Sequence, residues 1–479
     1  MTQSPLAAID TFVVLMLENR SFDHMLGWLY ADAGNVSPSG APFDGLTGAE
    51  ANPGTDGSPV SVFRITSTTP NAYFMPGADP GEGYNAMNSQ LFGAIAAPAS
   101  EPAVSNQGFV KDFAYTMGWQ AAGKGWTILP GTTPAAVMGC FDPAMLPVLS
   151  GLARGFAVCD RWFAPAPTET LPNRAFAAAA TSQGHLKDRD VPYTAPTIFG
   201  ALGKAGVPWK VFGYSAPPLS QKDFPDLSTA PQANFGLFAD FRAEAGAGTL
   251  PAYSFLEPAW SGPGQNDQHP VSDLAAGEQL IHDVYYAVRN GPKWSSTLLI
   301  VTYDEPGGLF DHVPPPWTAT PPDNTVGEQG FSFNRFGPRV PAVIVSPLIA
   351  PGTVFRPPPG GAPHDHTVIL KTLETRYGLA PLTRRDAAAS DLSGVLTLAA
   401  PRTDDPLAGV SVPPLAANPP AAQAVTHLQQ ISLALTADLP VADADGGAHH
   451  APPTPASSDE ADRYITARTA AWAAQRKSG

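Results

Sequence analysis

Apolar positions gather in short runs separated by long polar stretches. Four runs are rich in β-branched residues: "TFVVLML" (11–17), "VPWKVFGY" (207–214), "STLLIVTY" (296–303) and "PAVIVSPLI" (341–349). Apolar runs of this length read as parallel strands buried on both faces. "GFAVCDRWF" (155–163) and "AYSFLEP" (252–258) are weaker candidates. Between them the spacing turns helical. "SDLAAGEQLIHDVYYAVRN" (272–290) repeats apolar residues at Leu274, Leu280, Ile281, Val284 and Val288, opens on Ser272 as a cap and closes at Asn290-Gly291. "HTVILKTLETRYG" (366–378) also ends on Gly. Alternating strands and helices predict an α/β fold, a mostly parallel sheet with helices on both faces.

Two regions break the pattern. Residues 31–130 are polar, rich in Gly and Pro, and dotted with Tyr73, Phe74, Tyr84, Phe92, Trp119 and Trp126. They predict long loop insertions that cover a site at one sheet edge. Residues 401–479 are rich in Pro and Ala. They predict an extended or loosely packed segment to about 460 and a terminal helix near 459–476. The organisation expected is one domain over 1–400, with 31–130 as a lid, and a C-terminal segment.

Composition narrows the function. The 479 residues carry a formal charge of -15 and a pI near 5.0. With no basic patch, nucleic acid is excluded as a partner. An acidic chain that handles phosphate needs a local cation. The two cysteines, Cys140 and Cys159, leave one disulfide or two buried thiols open. No apolar run reaches 18 residues, so no transmembrane helix is expected. The N-terminus lacks the basic and small-residue features of a signal peptide. The expectation is a cytoplasmic protein or one exported by a non-classical route.

Three motifs carry chemistry. The first apolar run ends in "ENRSFDH" (18–24). Glu18 and Asn19 face one crevice only if the strand stops there, and ligands of open α/β sheets bind at such carboxyl ends. The run 296–303 ends the same way, in "DEPGGLFDH" (304–312). Adjacent carboxylates about 4 Å apart cost roughly 4 kcal/mol at an effective dielectric near 20. A divalent cation (Ca, Mg, Mn or Zn) removes that cost, so Glu18, Asn19, Asp304 and Glu305 form a candidate oxygen-rich metal site. Thirdly, "PTETLPNRAFAAAATS" (167–182) sets Thr170 as the cap of an Ala-rich helix, where backbone N–H groups and the macrodipole favour an anion. The alternatives are a polar junction, a solvated acidic turn and a capping Thr without chemistry. His269, His312, His364 and His366 lie at strand-to-helix junctions and are candidates for metal or phosphate contact. Arg20, Asp23 and His24 brace the first turn. "GWQAAGKG" (118–125) has P-loop spacing but lacks the terminal Ser/Thr, and "GEGYNA" (81–86) is a weak glycine pattern.

Together the motifs resemble the bacterial and plant phosphoesterase family of non-specific phospholipases C and related acid phosphatases. "ENRSFDHMLGWL", "LPVLSGLARGFAVCDRWFAPAPTETLPNRAFAAAATSQGH", "YSFLEPAW…NDQHP", "TYDEPGGLFDHVPPP" and "GPRVPAVIVSPLI" carry the resemblance, from about residue 11 to 410. It implies an alkaline-phosphatase-like core and a metal site at Glu18, Asn19, Asp304 and Glu305. It also implies a nucleophile at Thr170, leaving-group chemistry at His269 or His312, and substrate contacts from Asn173 and His366. Pro306 and Ala178 depart from the family, where relatives carry His or Asn and His respectively.

The function expected is metal-dependent cleavage of a phospholipid by a phospholipase C route, releasing diacylglycerol and a phosphorylated head group, with transient contact at a membrane surface. Phosphomonoester hydrolysis of the acid-phosphatase kind is the alternative. A catalytically silent phosphate-binding protein is the alternative of another class, supported only by Pro306 and Ala178.

Overall fold

The computed structural model describes residues 4–102, 105–122, 128–188, 193–262, 264–416, 425–439, 441 and 452–478. Eight strands make one sheet: β1 (Thr11–Leu17), β2 (Ala157–Val158), β3 (Trp209–Gly213), β4 (Phe235–Leu237), β5 (Tyr253–Leu256), β6 (Thr297–Tyr303), β7 (Ala342–Val345) and β8 (Thr353–Val354). Their order is β8-β2-β7-β6-β1-β5-β3-β4. β1 sits mid-sheet, parallel to β6 on one side and β5 on the other. Every residue of β1 and β6 is buried, so both faces of the sheet are covered. That is why these runs are apolar throughout rather than alternating. Each Val, Leu or Ile so buried contributes about 1.5–3 kcal/mol.

β7 corrects the sequence reading. The run 341–349 does form a strand, but antiparallel to both β6 and β2. A parallel return requires a crossover to the far end of the sheet. No α-helix lies between Tyr303 and Ala342. The connecting chain stays at the end where β6 stops, so β7 enters from that end.

The insertion is more ordered than expected. It holds the helices Tyr84–Phe92 and Phe109–Ala121 and a hairpin of Ala51–Pro53 with Pro59–Ser61. Phe109, Val110 and Phe113 bury one face of the second helix. Trp126 lies outside the described residues. The C-terminal segment is not extended throughout either. Helix His427–Ala437 opens on a capping box of Thr426 and Gln429, and its Ile431 packs against Leu171, Leu219 and Trp260. The terminal helix runs Ser458–Ser478. Cys140 and Cys159 are both buried free thiols. Among the described residues no helix is long and apolar enough to cross a membrane.

Candidate active site

Parallel register sets the first wall. Leu17 lies opposite Tyr303, so Glu18 and Asp304 leave the sheet side by side. Glu18 N–H donates to Asp267 O at 2.9 Å, which ties β1 to the loop after β5. Asn19 has φ 53. Asn tolerates this left-handed conformation better than most residues, and it turns the chain so that Glu18 and Asn19 no longer point to opposite faces. The Asn19 N–H donates to Asp304 Oδ1 at 3.0 Å. Gly307 closes the second strand end: a Cβ there would meet Asn19 O at 2.1 Å, and its φ is +62. Only glycine fits that approach.

Helix Thr170–Ala179 is the second wall. Its N-cap is Glu169, so Thr170 is the first helical residue and not the expected cap. The Thr170 hydroxyl instead faces the strand ends, with Asn19 Oδ1 at 3.3 Å and Glu18 Oε2 at 3.5 Å as acceptors. The next helical N–H, Leu171, donates to Asp188 Oδ1 at 2.7 Å and is not open to an anion here. Arg174, one turn further on, reaches both strand ends. Its Nη2 donates to Glu18 Oε1 at 2.7 Å and its Nε to Asp304 Oδ2 at 2.9 Å. Its guanidinium also lies 4.5 Å above the Trp260 ring.

The insertion supplies the third wall. Glu82 Oε2 accepts from Asn19 Nδ2 at 2.5 Å and lies 3.7 Å from His269 Nε2. Asp79 stands 4.0 Å from His269 Nδ1. Asp79, Glu82 and His269 are close enough together to share one cation. Burial, then Asp304, pushes the Glu18 carboxyl well above the usual range despite Arg174. Burial, then Glu82 and Asp304, does the same to Glu305. Burial raises Asp79 to about 8 and Glu169 to about 7. Burial pulls His269 down, but Asp79 and Glu82 outweigh it and hold it at about 10.

Three expected residues sit behind these walls. Asn173 spends its amide on the turn before the helix: Nδ2 donates to Thr168 O at 2.8 Å and Glu169 O at 3.0 Å, and Oδ1 accepts from Ala166 N. His366 donates from Nε2 to Asp304 O at 2.7 Å and accepts at Nδ1 from Trp162 Nε1 at 3.1 Å, so both ring nitrogens are used. His312 belongs to a separate network. Its Nδ1 meets Asp23 Oδ2 at 2.6 Å and its Nε2 meets Asp44 Oδ1 at 3.4 Å, while Arg339 pairs with Asp23 and Asp311. His364 lies beside Cys159, with Nδ1 3.4 Å from Sγ. Arg20 donates to Gln268 O and Met75 O, and its Nη1 lies 3.0 Å from His24 Nε2.

The model of the phosphoesterase family matches residues 9–380. The chain belongs to the phosphoesterase family. Non-specific phospholipase C6 of Arabidopsis thaliana is 36% identical over 438 residues, covering 87% of this chain and 77% of the relative. Non-specific phospholipase C3 of the same plant is 36% identical over 428 residues, covering 84% and 76%. Phospholipase C B of Mycobacterium tuberculosis strain H37Rv is 28% identical over 447 residues, covering 83% and 79%. A solved alkaline-phosphatase-superfamily structure from Vibrio parahaemolyticus overlaps 51% of this chain and 64% of its own at TM-score 0.31 and 12% identity, too slight a likeness to argue from. The family and these relatives make the chain a phosphoric ester hydrolase.

A divalent cation fits the donors of this phosphoesterase. Glu305 Oε1 is fully buried and finds no hydrogen-bond partner among the described residues. Among the described residues, Asn19 Oδ1 accepts only from the Thr170 hydroxyl, which also reaches Glu18 Oε2. Carboxylate and amide oxygens suit a hard cation. Asp304 is more heavily used, since Oδ1 accepts from Asn19 N and Glu305 N and Oδ2 from Arg174. Sequence reasoning gave no role to Arg174, although a position four after Thr170 shares its helical face. It also missed Asp79, Glu82 and Asp188. No local pattern marks them, and only the fold brings them in.

Proposed function

We propose that this phosphoesterase cleaves phospholipids by a phospholipase C route with Thr170 as nucleophile. The observation that carries the proposal is the Thr170 hydroxyl, held at a helix start against the two strand-end residues Glu18 and Asn19. Arg174 supports it by fixing Glu18 beside Asp304.

Glu18, Asn19, Asp304 and Glu305, joined by Glu82, are the residues that would hold a divalent cation. When bound, it polarises the phosphoryl oxygen and favours the Thr170 alkoxide. The Thr170 proton passes by way of Glu18 Oε2 to solvent. Oγ1 then bonds to phosphorus, and the bond from phosphorus to the diacylglycerol oxygen breaks. His269 donates the proton that this leaving oxygen takes up. Water next attacks the head-group phosphoryl-threonine and returns a proton to His269. The Oγ1–P bond breaks, the phosphorylated head group leaves, and Thr170 regains a proton from solvent. Asn173 and His366 act in this scheme as positioning residues, the first for the Thr170 turn and the second for the Asp304 backbone. His312 takes no part in it.

A lipid substrate also needs a docking face. Tyr115 and Trp119 lie one turn apart on helix Phe109–Ala121, 77% and 49% exposed. Exposed aromatic rings of this kind suit a membrane interface. The test is turnover of phosphatidylcholine vesicles beside a small phosphomonoester, each with and without a chelator. Diacylglycerol release that the chelator abolishes is expected. Turnover of the monoester alone points to a phosphatase, and turnover of neither overturns the reading.

A further inference from the structure

A cavity opens beside Tyr84, two residues beyond Glu82. It measures about 510 Å³ and is lined by Arg335 together with Asn85, Ser332, Asn334, Trp317 and Phe331. Arg335 is 2% exposed. Its Nη2 donates to Asn88 Oδ1 at 2.6 Å and to Tyr84 OH at 3.0 Å, but its Nη1 is buried without a hydrogen-bond partner. The rings of Tyr84, Phe92, Trp317 and Phe331 surround the guanidinium at 5.0–5.6 Å.

Among the described residues, Arg335 shares with buried Arg20 the lack of an ion pair to a carboxylate, but Arg20 donates to two backbone carbonyls and lines no such cavity. Arg339 and Arg385 are buried comparably, and each holds a carboxylate, Asp23 and Asp311 for the first and Asp365 for the second; the less buried Arg174 holds Glu18 and Asp304. Arg335 pairs with no carboxylate among the described residues; its polar partners are a phenol and an amide. Aromatic faces attract a cation but do not accept N–H bonds as an anion does. A buried guanidinium with one unsatisfied nitrogen is costly unless something supplies the missing acceptor. The polar side chains at the mouth, Asn85, Ser332 and Asn334, are exposed and able to complete the coordination of an oxyanion.

We propose that the cavity beside Arg335 is a binding subsite for an anionic group, a carboxylate or a phosphate. Arg335 Nη1 is its central donor and the aromatic cage fixes the plane of the guanidinium. The subsite does not depend on the reading of Thr170 as nucleophile. A bound anion would sit against helix Tyr84–Phe92, whose N-terminal flank carries Glu82 into the catalytic cluster.

Isothermal titration calorimetry on the full chain tests this. One arm uses succinate and inorganic phosphate. Another uses vesicles of phosphatidylserine against phosphatidylcholine, which separates a free anion from a lipid head group. Arg335→Gln removes the donor. Asn85→Glu keeps the cage intact and places a competing carboxylate at the mouth, so it covers the case in which the first variant fails to fold. Both should weaken binding roughly tenfold or more in whichever arm binds. Thr170→Ala should leave it unchanged. The proposal is overturned if no titrant responds to Asn85→Glu, or if Thr170→Ala alone removes the binding.

Discussion

Arg174 joins Glu18 to Asp304. Its Nη2 lies 2.7 Å from Glu18 Oε1 and its Nε 2.9 Å from Asp304 Oδ2. Two carboxylates from neighbouring parallel strands are thus held together by a cation from the helix that begins with Thr170. One guanidinium offsets their repulsion and ties the Thr170 helix to the sheet.

Arg174→Gln should therefore destabilise the fold by about 3–5 kcal/mol, because it leaves buried carboxylates unpaired. Adding a divalent cation should recover part of that loss, and more than it adds to the unmodified chain. Thermal melts with cation and with chelator check this. Equal melting temperatures for the two proteins would contradict it.

His269→Gln removes the proposed proton donor. A fall of about 10²- to 10⁴-fold in kcat is expected for diacylglycerol or another alkyl leaving group. With a 4-nitrophenyl ester, whose leaving oxygen needs no proton, the burst of 4-nitrophenol that reports the first step alone should be nearly unchanged, while the later steady state stays slow because water still needs His269. A burst slowed as much as diacylglycerol release would assign His269 to structure.

His312 gives a pH signature away from the proposed catalytic residues. Burial lowers its proton affinity, but Asp23, then Asp44, outweigh burial and Arg339 and hold it at about 10. A folded value above the unfolded one means that the protonated ring stabilises the fold. That contribution is complete below about pH 6.5 and lost as pH rises towards 10. The melting-temperature gap between the unmodified chain and His312→Gln should be widest near pH 6 and close by pH 10. A gap that widens with pH would refute the assignment.

Tyr115→Ser with Trp119→Ser should lower turnover on vesicles several-fold while sparing a soluble phosphomonoester. Paired assays on the two substrates check this. Equal loss on both would remove this face from the account of lipid docking.

The sequence was most legible where the chain is buried on both sides. β1 and β6 are apolar at every position, so their ends, and with them Glu18, Asn19, Asp304 and Glu305, stood out as breaks in a run. Thr170 showed because a helical pattern begins there. The direction of β7 did not show, since antiparallel pairing depends on where residues 304–341 travel, not on the strand's own composition. β4 and β8 are too short to stand out, at three and two residues. Asp79 and Glu82 sit in Gly/Pro-rich chain and gain meaning only by reaching Asn19 and His269. Asn173 and His366 stood in the right motifs, yet their hydrogen bonds point into the scaffold. A motif marks the neighbourhood of a site but does not show which way a side chain faces.

The most direct measurement is peptide mass spectrometry on protein quenched during turnover of phosphatidylcholine. The account predicts a head-group phosphoryl on Thr170 that is absent without substrate. An adduct on another residue, or wild-type turnover by Thr170→Ala, would contradict it.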